Sequence, residues 1–222
     1  MHGHPPFSFI ISLLTLFCLC FLIACNSSQN SKPTTLHKIP ARNLEDSLQR
    51  PLIYHVTAPS SWSYREIPAN ESIFDTKKAN GEFYIFHESD KIRLTIHTFP
   101  YRNSSERIPP QAQISRWKKQ FEFLDPFSLL IQPESRGGFG GLYFEGQGKM
   151  NKEEVKVMAW AMQLANLYDR QLQLGLDPLD QWKRADYTIK AMGKPELLDQ
   201  FRDEIIRFAH HFEFIQELPI PL

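Results

Sequence analysis

Charge is missing from the start of this sequence, and cysteine is scarce throughout. No Asp, Glu, Lys or Arg precedes Lys32, and the chain has only 3 cysteines. Over 222 residues, 25 basic and 25 acidic side chains cancel. Nucleic-acid-binding domains normally carry a basic excess, so this balance argues against a nucleic-acid partner and against a polybasic membrane-surface protein. With 42% hydrophobic residues the chain is also too apolar for a disordered protein.

The uncharged start contains an apolar run from residue 7 to residue 24. A run of this length can just span a bilayer as a helix, and it also suits a secretory signal peptide. It ends in Leu22-Ile23-Ala24-Cys25, which resembles the lipobox of bacterial lipoproteins. The resemblance implies that residues 1–24 are a signal peptide cleaved before Cys25. An uncleaved membrane anchor and an ordinary secreted protein are the alternatives.

The resemblance further implies that the Cys25 thiol carries diacylglycerol and that its amine is acylated, with chains such as palmitate. Cys18 and Cys20 lie inside the apolar run and would leave with the signal peptide. The mature chain would then have no free thiol, which excludes disulfide scaffolds, zinc–cysteine sites and thiol catalysis. Because several acyl chains hold a protein far more firmly than one, we expect a lipid-anchored protein of the bacterial cell envelope.

Beyond the anchor, the polar residues 25–50 predict a lipid-anchored flexible linker. About twenty flexible residues would reach roughly 25 Å on average. Residues 51–222 are evenly globular and predict a single α/β domain, long enough to bury a stable core. Within it, residues 163–183 form a predicted amphipathic insertion with helical apolar spacing.

The clearest local pattern is a hairpin formed by residues 82–87 and 92–97. A loop of Ser89 and Asp90 would place Ile85 opposite Leu94, and Glu82 opposite His97. Alternation then puts an apolar set on one face and a mixed set on the other. The first face is predicted to be core, and the second only partly covered.

Further strands are predicted at 142–147, 155–162 and 185–191, and helices at 110–124 and from Pro195 onward. Both helices carry one apolar stripe, and the strand at 155–162 is apolar on both faces. The pattern predicts an α+β fold, with a mainly antiparallel sheet and helices packed on it.

Three stretches together resemble PsbP-like proteins. They are Ile114-Ser115-Arg116-Trp117-Lys118-Lys119-Gln120, the segment from Tyr187 to Gly193 with the helix after it, and Thr57-Ala58-Pro59-Ser60-Ser61-Trp62. The resemblance covers roughly residues 55–215 and implies a three-layer α/β/α sandwich around an antiparallel sheet. It also implies a binding or assembly role without catalysis, and it supplies no catalytic residue. The insertion at 163–183 departs from the family pattern.

Arg116, Trp117 and Gln120 form the candidate partner-binding patch, because Arg116 and Gln120 lie one helical turn apart beside Trp117. The alternative is that Arg116 lies over Trp117 with its head group solvated. A G-x-S-x-G elbow and an H-E-x-x-H motif are both missing from the sequence. The glycine run at 137–141 lacks a P-loop ending and reads as a flexible strand entry. We therefore expect no catalytic residue, cofactor or metal, and interpret His97 and Glu82 as a pH-sensitive contact.

These observations predict a membrane-tethered lipoprotein that is not an enzyme and binds or assembles envelope proteins. The alternative is a small-molecule-binding or weakly hydrolytic lipoprotein, with residues 163–183 as a lid. A broad exposed apolar patch on that insertion would favour the first hypothesis. A pocket lined by convergent polar groups would favour the second.

Overall fold

The computed structural model describes residues 32–68 and 70–219. The predicted signal peptide and Cys25 lie outside these residues. The chain divides into two units after Pro33, and the description concerns the second unit. Its strands are β1 (Thr34–Pro40), β2 (Leu52–Pro59), β3 (Ser63–Arg65), β4 (Gly81–His87), β5 (Asp90–Pro100), β6 (Phe123–Leu124), β7 (Leu130–Arg136), β8 (Phe139–Met150), β9 (Glu153–Leu164), β10 (Ala185–Gly193) and β11 (Glu213–Phe214).

Helices connect these strands and cover the sheet. Two short 3₁₀ helices also occur, at Ser104–Glu106 and Pro126–Ser128. The α-helices are α1 (Pro110–Lys118), α2 (Asn166–Leu174), α3 (Asp180–Lys183), α4 (Pro195–Gln200) and α5 (Arg202–His210).

The strands form two antiparallel sheets. The large sheet has the order β3-β4-β5-β10-β9-β8-β6, with β7 also paired to β8, and the small sheet has the order β1-β2-β11. Helices α4 and α5 and the small sheet pack on one face of the large sheet, whereas α1 packs on the other. The predicted α+β fold, with helices on both faces of a mainly antiparallel sheet, is confirmed.

The main core lies between the large sheet, the small sheet and helix α5. Alternation along β4 and β5 directs Phe83, Leu94 and their apolar neighbours into it. Aromatic rings join the layers: the centroids of Phe83 and Phe208 are 4.8 Å apart, and Tyr54 stacks on Phe212 at 4.9 Å. The predicted apolar face of the hairpin is therefore the core face.

A tight hairpin joins β7 to β8. Gly137 and Gly138 both have positive φ, 54° and 84°, between the paired residues Arg136 and Phe139. Two-residue loops that match strand twist require positive φ, which glycine adopts without strain. The predicted flexible entry into a strand is thus a hairpin turn, and β8 begins at Phe139.

The predicted linker is wrong from Thr34 onward. Strand β1 pairs with β2 along its whole length, and the main-chain nitrogen of Ala41 donates to the oxygen of Pro51 at 2.9 Å. Arg42 and Asn43 are buried. The segment is polar in composition, but its polar groups bond to distant parts of the chain instead of to water. The folded unit therefore begins at Thr34 and not at Pro51.

The predicted register of the β4–β5 hairpin is also wrong, by two residues. His87 pairs with Asp90, so the loop is Glu88 and Ser89, and Glu88 has a φ of 52°. Glu82 consequently lies opposite Thr95 instead of His97. Because side chains alternate with a period of two, a two-residue shift leaves each side chain on its predicted face.

Helix α1 is shorter than the predicted helix at 110–124. It ends at Lys118, and the main-chain nitrogen of Glu122 donates to the oxygen of Lys149 at 2.8 Å. The chain leaves the helix because residues 122–124 pair with the edge of β8. Phe121 is nevertheless buried with Ile114 and Trp117, as the apolar stripe predicts.

Candidate functional site

Helix α1 covers only half of its face of the large sheet. Its apolar side packs on Phe144 of β8 and on Val157 and Ala159 of β9. Strands β10, β5, β4 and β3 continue the same face beyond the helix. Side chains there, including Arg65 and Arg93, are exposed. Glu82, Thr95 and Thr188 on this face are buried, so only the part around Arg65 and Arg93 is open to a partner.

The half beyond the helix is basic. Arg65 on β3, Arg93 on β5 and Lys190 on β10 project from it, and Arg116 lies at its border on α1. We call these four residues the open basic face. Their alignment follows from the register, since Arg65 pairs with Glu82, Arg93 with Tyr84, and Lys190 with Thr95, which alternate on one face.

One carboxylate, that of Glu82, lies among these cations and is already fully engaged. It accepts a hydrogen bond from Arg93 Nε, one from Arg65 at 3.0 Å and one from Tyr84 Oη at 2.8 Å. Burial by itself raises the pKa of Glu82, but the bonds from Arg93 and Tyr84 outweigh it and hold the pKa below its ordinary value. The Glu82 carboxylate therefore holds the side chains of Arg65 and Arg93 in place, but its single negative charge neutralises only one of their two positive charges.

Lys190 and Arg116 form no ion pair within residues 32–68 and 70–219. Within the described part of the chain, Lys190 Nζ donates only to Gln120 Oε1, at 3.3 Å. Burial lowers the pKa of the Lys190 ammonium, and the charges of Arg93 and Arg116 lower it further. Clustered like charges destabilise a fold. Such a cluster of cations suits an anionic ligand.

A groove of about 300 Å³ runs beside Glu82 at the edge of the open basic face. Its charged lining residues are Arg65, Arg93, Lys77, Lys78, Glu71 and Glu82. Lys78 is paired with Glu71 at 3.1 Å. Lys77 has no ion pair within residues 32–68 and 70–219, so the groove extends the positive surface.

The predicted partner-binding residues divide between the surface and the core. Arg116 and Gln120 are exposed at the border of the open basic face, where Gln120 contacts Lys190. Trp117 is only 4% exposed and packs on Phe144, with ring centroids 6.1 Å apart. Trp117 can therefore position Arg116 but cannot itself reach a partner. Cys25 lies outside the described residues.

Sequence reasoning did not find Arg65, Arg93 or Lys190 as a site. A signal was present, because the mixed face of the predicted hairpin contained Arg93. Joining it to Lys190 requires the pairing of β5 with β10, whose residues are almost a hundred positions apart. Local periodicity carries no information about that pairing.

His97 borders the open basic face. It lies opposite Thr188, and its ring stacks on Phe99 with centroids 6.4 Å apart. Burial lowers the pKa of His97 to about 4, the charges of Arg42, Lys190 and Arg93 act in the same direction, and a hydrogen bond with the Lys77 main chain opposes them. The predicted contact between His97 and Glu82 is wrong, because the register separates them.

The neutral His97 predicts a pH dependence of stability. Its pKa in the folded chain is about 4, below the ordinary value, so the unfolded chain binds more protons between pH 4 and 6.5. The contribution of His97 to the free energy of unfolding should therefore rise with pH through this window, by about 2 kcal/mol once partial exposure is allowed for. Urea titrations from pH 4.5 to 6.5 measure it. His97→Gln should flatten the rise, and an unchanged rise in that variant would contradict the assignment.

The arrangement of the open basic face suits binding. Its ordered groups are cations, an amide and a fully hydrogen-bonded carboxylate. Among the described residues, no group of three or more His, Cys, Asp or Glu side chains is placed to hold a metal ion. The described part of the chain also has no helix with the length and apolar character needed to cross a membrane.

Comparison with known proteins gives structural likenesses only. Neither the scan against protein-family models nor the search of curated proteins finds a match. The crystal structure of LpqN, involved in cell envelope biogenesis of Mycobacterium tuberculosis, is similar with a TM-score of 0.47 and 10% identity, over 83% of this chain and 92% of that one. The solution structure of cyanobacterial PsbP (CyanoP) from Synechocystis sp. PCC 6803 is similar with a TM-score of 0.44 and 9% identity, over 86% and 99%. At these values neither likeness assigns a family or a function to this chain.

Proposed function

We propose that this chain is a lipoprotein tethered to a membrane of the bacterial cell envelope through Cys25. We further propose that it is a non-catalytic protein-binding or assembly module, which docks an acidic partner on the open basic face. The observation that carries the proposal is that Lys190 and Arg116, which lie near Arg93 on the partly exposed sheet face, have no carboxylate partner within residues 32–68 and 70–219.

The physical case is one of charge complementarity. Lys190 is half-buried among other cations, which is unfavourable for the isolated protein. A carboxylate from a partner would relieve this repulsion and form charge-assisted hydrogen bonds. Since the chain as a whole is neutral, the attraction comes from this surface and not from net charge. Such patches accelerate encounter and select partners of opposite charge.

The proposed tether is shorter than the sequence alone predicts. Thr34, where β1 begins, is nine residues after Cys25. Even fully extended, nine residues span at most about 30 Å. The folded unit would therefore stay close to the membrane, within reach of partners that are themselves embedded in or attached to it.

Crosslinking in intact cells tests the proposal. Lys190→Gln combined with Arg116→Gln removes two cations that have no carboxylate partner within residues 32–68 and 70–219, so the fold should persist. We expect the yield of the crosslinked partner to fall about tenfold, which corresponds to about 1.4 kcal/mol. Cys25→Ala should also abolish the crosslink by releasing the tether.

A matched variant controls for net charge. Lys149→Gln combined with Lys152→Gln removes two exposed cations at the β8–β9 turn and should leave the yield unchanged. Purified chain should also bind an octaglutamate peptide, with an affinity that falls as salt rises. Equal crosslinking by both double variants would overturn the docking surface. Binding to anionic vesicles but not to the peptide would contradict a protein partner.

A further inference from the structure

Two aromatic side chains of β4 lie next to the arginines of the open basic face. Glu82, Tyr84 and Phe86 follow one another at intervals of two residues, so their side chains project from the same side of the sheet. The rings of Tyr84 and Phe86 stack, with centroids 5.9 Å apart and planes 22° apart. We call these two residues the aromatic pair.

The aromatic pair is open to solvent. Phe86 is 62% exposed and Tyr84 is half-buried, whereas Phe83 and Ile85, on the opposite side of the same strand, are buried in the core. A single exposed apolar side chain is common on protein surfaces. Here, however, two stacked rings form a continuous aromatic surface within the part of the face that is open to a partner.

Cations border the aromatic pair. The pairing of β4 with β5 places Arg93 opposite Tyr84 and Lys91 opposite Phe86. Lys91 Nζ lies 5.6 Å from the centroid of the Tyr84 ring, within the range of a cation–π contact. Lys91 forms no ion pair within residues 32–68 and 70–219. Positive charge and aromatic surface are therefore presented together.

The ring of Tyr84 is held in place. Its hydroxyl donates to Glu82 Oε1 at 2.8 Å, and the same oxygen accepts from Arg93 Nε. One carboxylate thus fixes a ring and a guanidinium side by side. Groups that are ordered before binding lose less conformational entropy when a partner docks.

We propose that the acidic partner carries an aromatic side chain next to its carboxylates, and that the aromatic pair receives this side chain. The inference rests on the proposed function, because it names a second feature of the same partner. The partner's carboxylates would pair with Arg93 and Lys91, while its ring would stack on Phe86. Charge attracts acidic segments in general, whereas the aromatic pair selects among them.

Three peptides test the inference. They are octaglutamate, the same peptide with one central glutamate replaced by tryptophan, and a charge-matched peptide with glutamine in that place. Each is titrated into the full chain in phosphatidylcholine nanodiscs by isothermal titration calorimetry. We expect the tryptophan peptide to bind about tenfold more tightly than the glutamine peptide. As salt rises, both affinities should fall while their ratio persists, because salt screens charges and not apolar contact.

Variants at exposed phenylalanines locate the effect. Phe86→Ala should remove the tenfold ratio, and its thermal midpoint should change little because the side chain is mostly exposed. Phe86→Tyr, which keeps the ring, should keep the ratio. Phe127→Ala is the matched control. Phe127 is 98% exposed and lies between β6 and β7, at the opposite edge of the large sheet, so this variant should also keep the ratio.

The possible failures can be told apart. If octaglutamate binds but the tryptophan and glutamine peptides bind equally, the role of the aromatic pair is wrong and the docking surface stands. If none of the three peptides binds, the docking surface is wrong and the inference falls with it. If Phe86→Ala weakens binding to phosphatidylglycerol vesicles but to none of the peptides, the aromatic pair meets a lipid surface and the inference is wrong.

Discussion

Replacing Arg42 with methionine should lower the free energy of unfolding by about 4 kcal/mol. All five N–H donors of a guanidinium are used here: Nε donates to the Thr98 oxygen at 2.7 Å, and the terminal nitrogens donate to three main-chain oxygens and to Asn80 Oδ1. Burial lowers the pKa of Arg42 to about 10, which leaves it charged at neutral pH. Methionine would fill the volume but leave buried oxygens without donors.

Urea denaturation and a thermal melt measure this loss. For a domain of this size, 4 kcal/mol corresponds to a midpoint lower by roughly 10 °C. Arg102→Met is the control, because Arg102 pairs with Glu45 at the surface, where both side chains are mostly exposed. It should cost less than about 1 kcal/mol. If Arg42→Met, like the control, lowers the free energy of unfolding by less than about 1 kcal/mol, residues 41–43 do not belong to the cooperative core.

The second large effect concerns the buried ion pair of Arg107 and Asp186. Both side chains are less than 9% exposed and are joined at 2.6 Å. Burial raises the pKa of Asp186 despite the hydrogen bonds from Arg107. Arg107→Met would leave a buried carboxylate without its cation, at a cost of about 3–5 kcal/mol. The pKa of Asp186 is raised in the folded chain, so above its ordinary pKa of about 4 the folded chain holds more protons at this carboxyl than the unfolded chain does. The contribution of Asp186 to the free energy of unfolding therefore falls as the pH rises through this range.

A double-mutant cycle separates the pair from its surroundings. Arg107→Met combined with Asp186→Asn removes the unpaired charge, so it should recover most of the loss and remove the fall with pH. Lys149→Met offers a comparison, because Lys149 and Glu154 are 3.9 Å apart and both more than half exposed. It should have little effect. If the double variant is no more stable than Arg107→Met, the pair is not coupled.

The strands and their buried faces could be predicted from the sequence because their pattern is local. Alternation in the hairpin identified the core face that contains Phe83 and Leu94, and the stripe on α1 identified Ile114 and Trp117. Side-chain direction repeats every two residues in a strand and every 3.6 in a helix. Neighbouring residues alone are therefore enough to predict whether a segment is a helix or a strand and which of its faces is buried.

The candidate site could be predicted only in part. Arg116 and Gln120 were visible because they lie one turn apart on one helix. Arg65, Arg93 and Lys190 come from three strands, and only strand order and register bring them to one face. The hairpin register itself was missed because its loop, Glu88 and Ser89, contains no glycine or asparagine to mark the turn.

The sequence by itself determined the type and the buried side of most elements, and it predicted the anchor at Cys25. Tertiary structure alone decided where the folded unit begins and which cations in the described part of the chain remain unpaired. Arg42 looked like a solvated linker residue, yet its acceptors are 31 to 56 positions away. Hydrogen bonds and ion pairs form between groups that are close in space. Which distant residues come close depends on long-range strand pairing, and neighbouring residues in the sequence do not encode that pairing.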